Sequence, residues 1–178
     1  IDGGSVEVDA TAGEIRGRVH FQGGYSDRFG GVDVHWVARV SRPLTGAGTW
    51  QDGALDPRAS RHEGARVGAY LPIDTRTDAT VTVAIGLSLT DLEHARMNLM
   101  AEASDLDFDR VRRETEAKWE ELLGRVEVEA RGERALRVFY SSVYHTLQMP
   151  TLTSDVDGAY RGVDQRVRRV EGFRYYSD

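Results

Sequence analysis

The stretch Val81-Thr82-Val83-Ala84-Ile85-Gly86-Leu87-Ser88-Leu89-Thr90-Asp91-Leu92-Glu93 changes its period midway. Val81, Val83, Ile85, Leu87 and Leu89 alternate with Thr82, Ala84 and Ser88, the period of two that marks a strand. Thr90-Asp91-Leu92-Glu93 then fits a capping box, with Thr90 as N-cap and Glu93 reaching back to it. Leu92, Arg96 and Leu99 follow on one helical face that continues towards Ala103. Strands end and helices begin near residue 90.

Upstream the strand pattern repeats. Ile15, Val19 and Phe21 alternate with Arg16, Arg18 and His20, and Val32, Val34, Trp36, Ala38 and Val40 share a face. Glycine-rich turns separate these runs, at Gly23-Gly24, Gly30-Gly31 and Thr45-Gly46-Ala47-Gly48. Short alternating strands with short turns predict an antiparallel sandwich rather than βαβ units. Downstream a second helix is predicted from near Asp107, with Phe108, Val111, Thr115, Trp119 and Leu122 on one side and Gly124 as its C′ residue. Arg125 to Glu129 reads as a short strand-like bridge. A third helix runs from about Glu133 to Gln148, its stripe made of Leu136, Phe139, Tyr140, Val143 and Leu147, and Pro150 stops it. The polar tail has turns at Asp157-Gly158 and Glu171-Gly172. The expected class is α+β: part of an antiparallel β-sandwich, then linker helices, then the opening helix of a further helical domain. One helix cannot bury so broad a stripe alone, so it packs back on the sandwich or its partners lie outside this chain.

Composition narrows the function classes. The 178 residues carry 23 Lys+Arg against 29 Asp+Glu, a net charge of −6, which argues against general nucleic-acid binding. There is no cysteine, which excludes disulfides, thiol catalysis and Cys-ligated zinc. Lys118 is the only lysine and lies in a charged helical stretch, so a Schiff-base mechanism is not expected. No apolar run reaches the roughly 18 residues of a membrane helix, and no signal-peptide pattern opens the chain.

A few residues are candidates for a site. Asp155-Val156-Asp157-Gly158 offers two carboxylates around a tight turn, as a hard cation would need. An EF-hand is excluded by Ala159 and Arg166 where ligands would stand, and the plainer reading is a hairpin turn with Asp157-Gly158 at its tip. His145 on the third helix is a candidate sugar contact, base or ligand, or else a hydrogen-bonded structural histidine. His62-Glu63 lacks the zincin frame because Arg66 stands where the second histidine should. Trp36, Trp50 and Trp119 offer flat faces for a pyranose; Trp36 and Trp119 read as core, leaving Trp50 as the candidate platform. No nucleophile elbow, P-loop or dinucleotide fingerprint is present.

The order of motifs resembles glycoside hydrolase family 92, the calcium-dependent exo-α-mannosidases. Carrying the match are Gly13-Glu14-Ile15-Arg16-Gly17, Phe21-Gln22-Gly23-Gly24-Tyr25-Ser26, Arg42-Pro43-Leu44, Gly48-Thr49-Trp50 and Gly68-Ala69-Tyr70-Leu71-Pro72. Gly86-Leu87-Ser88-Leu89, Ala95, Asn98-Leu99, Ala101-Glu102, Phe108-Asp109, Trp119 and Leu123-Gly124-Arg125-Val126 continue it. The most specific runs are Phe139 to Leu147, then Pro150, Ser154 to Gly162, and Tyr175-Tyr176-Ser177. The resemblance implies that residues 1–89 are the C-terminal part of a β-sandwich domain, 90–132 a helical linker and 133–178 the truncated start of a catalytic (α/α)6 barrel. It implies an inverting mechanism, in which a Glu protonates the leaving oxygen while an Asp activates the attacking water. Calcium on the sugar hydroxyls is implied too, with mannose-containing glycans as substrate and a secreted, periplasmic or cell-surface location in a bacterium. The acid, base and calcium ligands are expected beyond Asp178, where the family's Ser-x-Trp-Asp run would also follow, so the fragment alone is expected to be inactive. The competing reading is a non-catalytic carbohydrate-binding or interaction sandwich with a helical arm, acting through Trp50.

Overall fold

The computed structural model describes residues 3–171 and 174–177; the expected turn at Glu171-Gly172 lies partly outside the described residues. Two compact units are defined by packing. One comprises residues 1–106 and 153–175, the other 107–152 and 176–178. The stretch from Thr153 to Tyr175 therefore groups with the strands rather than with the third helix.

The first unit is built on a five-stranded antiparallel sheet. Its strands are β1 (Gly3–Asp9), β2 (Glu14–Phe21), β3 (Val32–Val40), β6 (Arg61–Gly64) and β8 (Val83–Ser88), in the order β6-β1-β2-β3-β8. A three-stranded sheet of β4 (Gly48–Gln51), β5 (Ala54–Asp56) and β7 (Val67–Tyr70) packs against β1 and β6. Val6 and Val8 are buried in β1, and Thr49 of β4 is fully buried with its hydroxyl donating to Ala59 O. Both strand tryptophans lie across a glycine. Trp36 pairs with Gly17 and Trp50 with Gly68, and a Cβ at either glycine would stand within 2.8 Å and 2.3 Å of the ring atoms. A strand glycine here makes room for the indole of the neighbouring strand.

The period-2 reading of β8 holds, but its faces are inverted. Val83, Ile85 and Leu87 are 52%, 61% and 57% exposed, whereas Ala84, Gly86 and Ser88 are covered. The small face is the buried one because helix α1 (Leu92–Ala103) lies directly on it. A Cβ on Gly86 would meet Ala95 O at 2.2 Å and the Leu99 Cβ at 2.6 Å. Val37, Ala84, Ala95 and Leu99 form the core of this contact, with Leu92 and Ala103 against it. Leu92, Leu99 and Ala103 are thus on the expected face, and Ala95 completes it.

The capping box expected at Thr90 does not form. Asp91 is the N-cap, its carboxylate accepting from His94 N at 2.9 Å. Thr90 is buried, its amide donating to Ser88 Oγ and its carbonyl accepting from Arg161, which hold it out of the cap position. The anionic Asp91 also complements the positive helix N-terminus better than a hydroxyl does. Glu93 pairs with Arg96 instead of reaching back.

In the second unit, α2 (Phe108–Leu123) is capped by Asp107, and α3 (Glu133–Thr146) follows. Gly124 ends α2 as expected, but as its C-cap, with φ −69°, an ordinary right-handed value, rather than as C′. Residues 125–129 form no strand; Val126 instead offers its carbonyl to Tyr140 OH. The two helices meet through Trp119 and Tyr144, ring centroids 4.6 Å apart. Neither helix has a fully buried residue, and Leu147 at the end of the α3 stripe is 40% exposed. A short pair of strands, β9 (Thr151–Leu152) and β12 (Tyr176–Ser177), completes this unit.

Candidate functional site

The polar face of the large sheet and the first turn of α1 meet the Ser154–Gly162 stretch. This stretch leads into β10 (Ala159–Arg161), which pairs with β11 (Val167–Arg169). Asp155 is buried at 6% exposure, and its carboxylate accepts from Ser88 Oγ at 2.9 Å and Asn98 Nδ2 at 2.7 Å. Asn98 returns a bond, its Oδ1 accepting from Val156 N at 2.9 Å. One carboxylate thereby joins the end of β8, the middle of α1 and the loop. Arg161 extends the seam, donating to the carbonyls of Leu89 and Thr90 at 2.8 and 2.7 Å. Gln165 donates to Phe29 O and Gly31 O beside β3. Backbone carbonyls left over at a strand end are natural partners for a guanidinium fork.

Asp157-Gly158 is a turn, but not a hairpin tip. It precedes β10, and the hairpin between β10 and β11 closes through residues 162–166. Gly158 has φ +87°, and a Cβ there would stand 2.4 Å from Val170 O, so both backbone and space require glycine. Asp157 accepts from Ala159 N at 3.1 Å and pairs with Arg169. His94 completes the group, with Nδ1 2.8 Å from Asp91 and Nε2 3.6 Å from Asp157.

The charges are balanced locally. Burial lowers the His94 value, but its hydrogen bond to Asp91 and the charges of Asp91, Asp155 and Asp157 outweigh that and raise it. Burial raises Asp157, yet the Ala159 amide, Arg169 and His94 win and hold it below the ordinary carboxylate value. Further along the same sheet face, burial would raise Asp33. His20, with Nδ1 2.9 Å away, and Arg18, donating at 3.2 Å, outweigh burial and depress it. His35, next on that face, is pushed down by burial, and its Nδ1 has no partner among the described residues. Each of these carboxylates already accepts from a named donor. The seam is therefore suited to fastening segments together rather than to bond cleavage.

The residues singled out in the sequence fall in different places in the two units. Asp155 and Asp157 are in the seam, but their oxygens are taken by Ser88, Asn98, Ala159 and Arg169, and no group of three or more His, Asp or Glu among the described residues is arranged for a metal ion. These residues do not fit a calcium site. Trp50 is half-buried on the small sheet, against Gly68. His145 is exposed in the last turn of α3, with Nδ1 3.3 Å from Gln148. Sequence reasoning missed His94, Asn98, Ser88 and Arg161 as seam residues. His94 and Asn98, four apart on α1, were the available signal.

Comparison with known proteins matches this architecture. Residues 1–88 match the family model for the glycosyl hydrolase family 92 N-terminal domain, and residues 94–178 that for the family's catalytic domain. No curated protein sequence matches the chain. Among solved structures, the GH92-family glycosyl hydrolase ccman5 is 31% identical with TM-score 0.88, covering 98% of this chain and 23% of its own. The GH92 α-mannosidase BT3965 of Bacteroides thetaiotaomicron is 29% identical with TM-score 0.85, covering 98% of this chain and 24% of its own. The inverting mannosidase BT2199 of the same organism shares the fold at 24% identity and TM-score 0.85, covering 98% and 24%. This chain thus spans about a quarter of the length of these relatives. With both domain models matched in order and the whole chain superposing on solved members, the chain belongs to glycosyl hydrolase family 92.

Proposed function

We propose that this chain is the domain-junction part of an exo-acting α-mannosidase that hydrolyses terminal α-mannosidic linkages of glycans. The observation that carries the reading is the alignment of 98% of the chain with the α-mannosidase BT3965 at 29% identity. A second structure of that relative holds mannoimidazole, which supports mannose-containing glycans as the substrate class. Inversion and calcium dependence are part of the proposal, supported by the family resemblance. In an inverting hydrolysis one carboxylic acid protonates the leaving oxygen while a carboxylate on the other face activates water. No residue of the seam takes either role, since its carboxylates are engaged. Calcium would be held by residues outside this chain.

The contribution of these residues is positioning. Residues 94–178 match the catalytic domain, yet Ser154–Arg169 bonds to the N-terminal-domain match, Asp155 to Ser88 at the end of β8 and Gln165 to the Phe29 and Gly31 carbonyls before β3, while Arg161 holds the Leu89 and Thr90 carbonyls just after that match. Catalytic-domain sequence is thereby anchored on residues of the N-terminal-domain match, at Ser88, Phe29 and Gly31. The fragment alone is proposed to be inactive, and the parent protein to be secreted, periplasmic or cell-surface in a bacterium. The test is hydrolysis of α-1,2-, α-1,3- and α-1,6-mannobiose by the full-length protein, with the anomer of the released mannose read by NMR. Absence of mannose release from all three would overturn the reading.

A further inference from the structure

We propose that His94 is a protonation-dependent clasp, whose imidazolium between the Asp91 and Asp157 carboxylates fastens the 156–169 segment to the first turn of α1. The geometry carries the inference. Nδ1 stands 2.8 Å from Asp91 Oδ1, and Nε2 stands 3.6 Å from Asp157 Oδ2. At 3.6 Å the Asp157 contact is an ion pair rather than a hydrogen bond, so it rests on the charge of the imidazolium; a neutral imidazole, whose single N–H can serve one carboxylate only, offers Asp157 no such attraction. Losing the proton leaves one ring nitrogen a lone pair facing a carboxylate. The ring is four-fifths buried, so water only partly relieves that repulsion.

The surrounding charges favour the cation. Asp91 faces the ring from the helix cap, and Asp155 and Asp157 face it from the loop. Arg169 of β11 shares Asp157, and Arg161 of β10 is spent on the Leu89 and Thr90 carbonyls. His35 of β3 sits in the field of Asp91 and Arg161 and is itself pushed towards neutrality, chiefly by burial. On α1, Arg96 is shared between Glu93 and the buried Glu14 of β2. Because the folded value of His94 is raised, the clasp is complete below the ordinary histidine value and is lost as pH rises through the folded one. Asp155, Arg161 and Gln165 remain bonded throughout, so the segment loosens without leaving.

The test is hydrogen exchange by mass spectrometry on the full-length protein, with protection factors corrected for the intrinsic pH dependence of exchange. Between about pH 5.5 and about pH 8.5, either side of the ordinary value of roughly 6.5, peptides covering 156–169 should lose protection by about two- to fivefold, the range for a partly exposed ion pair. In His94→Gln and in Asp157→Asn that pH dependence should disappear. A wild-type protein whose protection in this segment is the same at both pH values overturns the proposal. So does an unchanged pH dependence in His94→Gln. If His94→Gln fails to fold, the wild-type and Asp157→Asn profiles decide between the same outcomes.

Discussion

Replacing Gly86 by Ala should unseat helix α1 from the large sheet. The added Cβ would stand 2.2 Å from Ala95 O, 2.6 Å from Leu99 Cβ and 2.9 Å from Leu99 N. Two of these atoms are backbone, so no side-chain rotation relieves the clash. To restore ordinary contact the helix must retreat by roughly 1 Å, and dispersion falls steeply over such a gap. That retreat opens the packing of Val37 and Ala84 against Ala95 and Leu99. Overpacking of a rigid core site costs about 1–3 kcal/mol, and here the loss of Leu99 packing adds to it. The expected destabilisation is about 3 kcal/mol, comparable to Leu99→Ala. Urea unfolding followed by circular dichroism measures it, with Gly46→Ala as control, since a Cβ there meets only Pro72 Cγ at 4.0 Å. A Gly86→Ala protein within about 0.5 kcal/mol of wild type would show that close helix–strand approach does not hold this unit together.

Asp155→Ala should destabilise by about 3 kcal/mol, because two hydrogen bonds to a buried charge are lost, though Ser88 and Asn98 each keep another partner in Thr90 N and Leu87 O. Chemical denaturation checks this, and a neutral result would contradict the seam. Glu14 is buried against Arg96, so Glu14→Gln should lower stability by about 1–2 kcal/mol, moderated because Arg96 can reach water; a thermal melt reads it. The depressed Asp33 carboxyl contributes stability that is present above its unfolded value and drains away as pH falls through the lower folded one. Asp33→Asn should flatten the acid limb of the stability profile, and an unaltered limb would argue against the Arg18–Asp33–His20 group. His145→Ala should change stability by less than about 0.5 kcal/mol, since the ring is exposed and its partners are the neighbouring Tyr144 ring and Gln148.

The strand-to-helix switch near residue 90 is legible because alternation and helical spacing are local properties. Which face of β8 is buried is not. The bulky Val83, Ile85 and Leu87 suggest the core side, yet the helix needs the small residues, a preference set by an element that packs from outside the strand. The caps follow the same logic. Asp91 displaces Thr90 because Arg161, 71 residues away, claims the Thr90 carbonyl. Such partners are long-range and invisible to a window of sequence. The Ser154–Gly162 run is recognisable as specific, but its Asp-x-Asp-Gly pattern suggests a cation loop. Asp155 instead finds Asn98 and Ser88, 57 and 67 residues distant, as its donors.

If this chain belongs to an α-mannosidase whose catalytic groups lie outside residues 1–178, activity and calcium dependence must both reside in the longer protein. The most direct measurement is mannose release from α-mannobioses by the full-length protein, with and without EDTA, beside the isolated 178-residue chain. Release by the full-length protein is expected, with its loss on chelation, its recovery with added calcium, and none from the isolated chain. Mannose release by the isolated chain, or release from the full-length protein that chelation leaves untouched, would contradict this assignment.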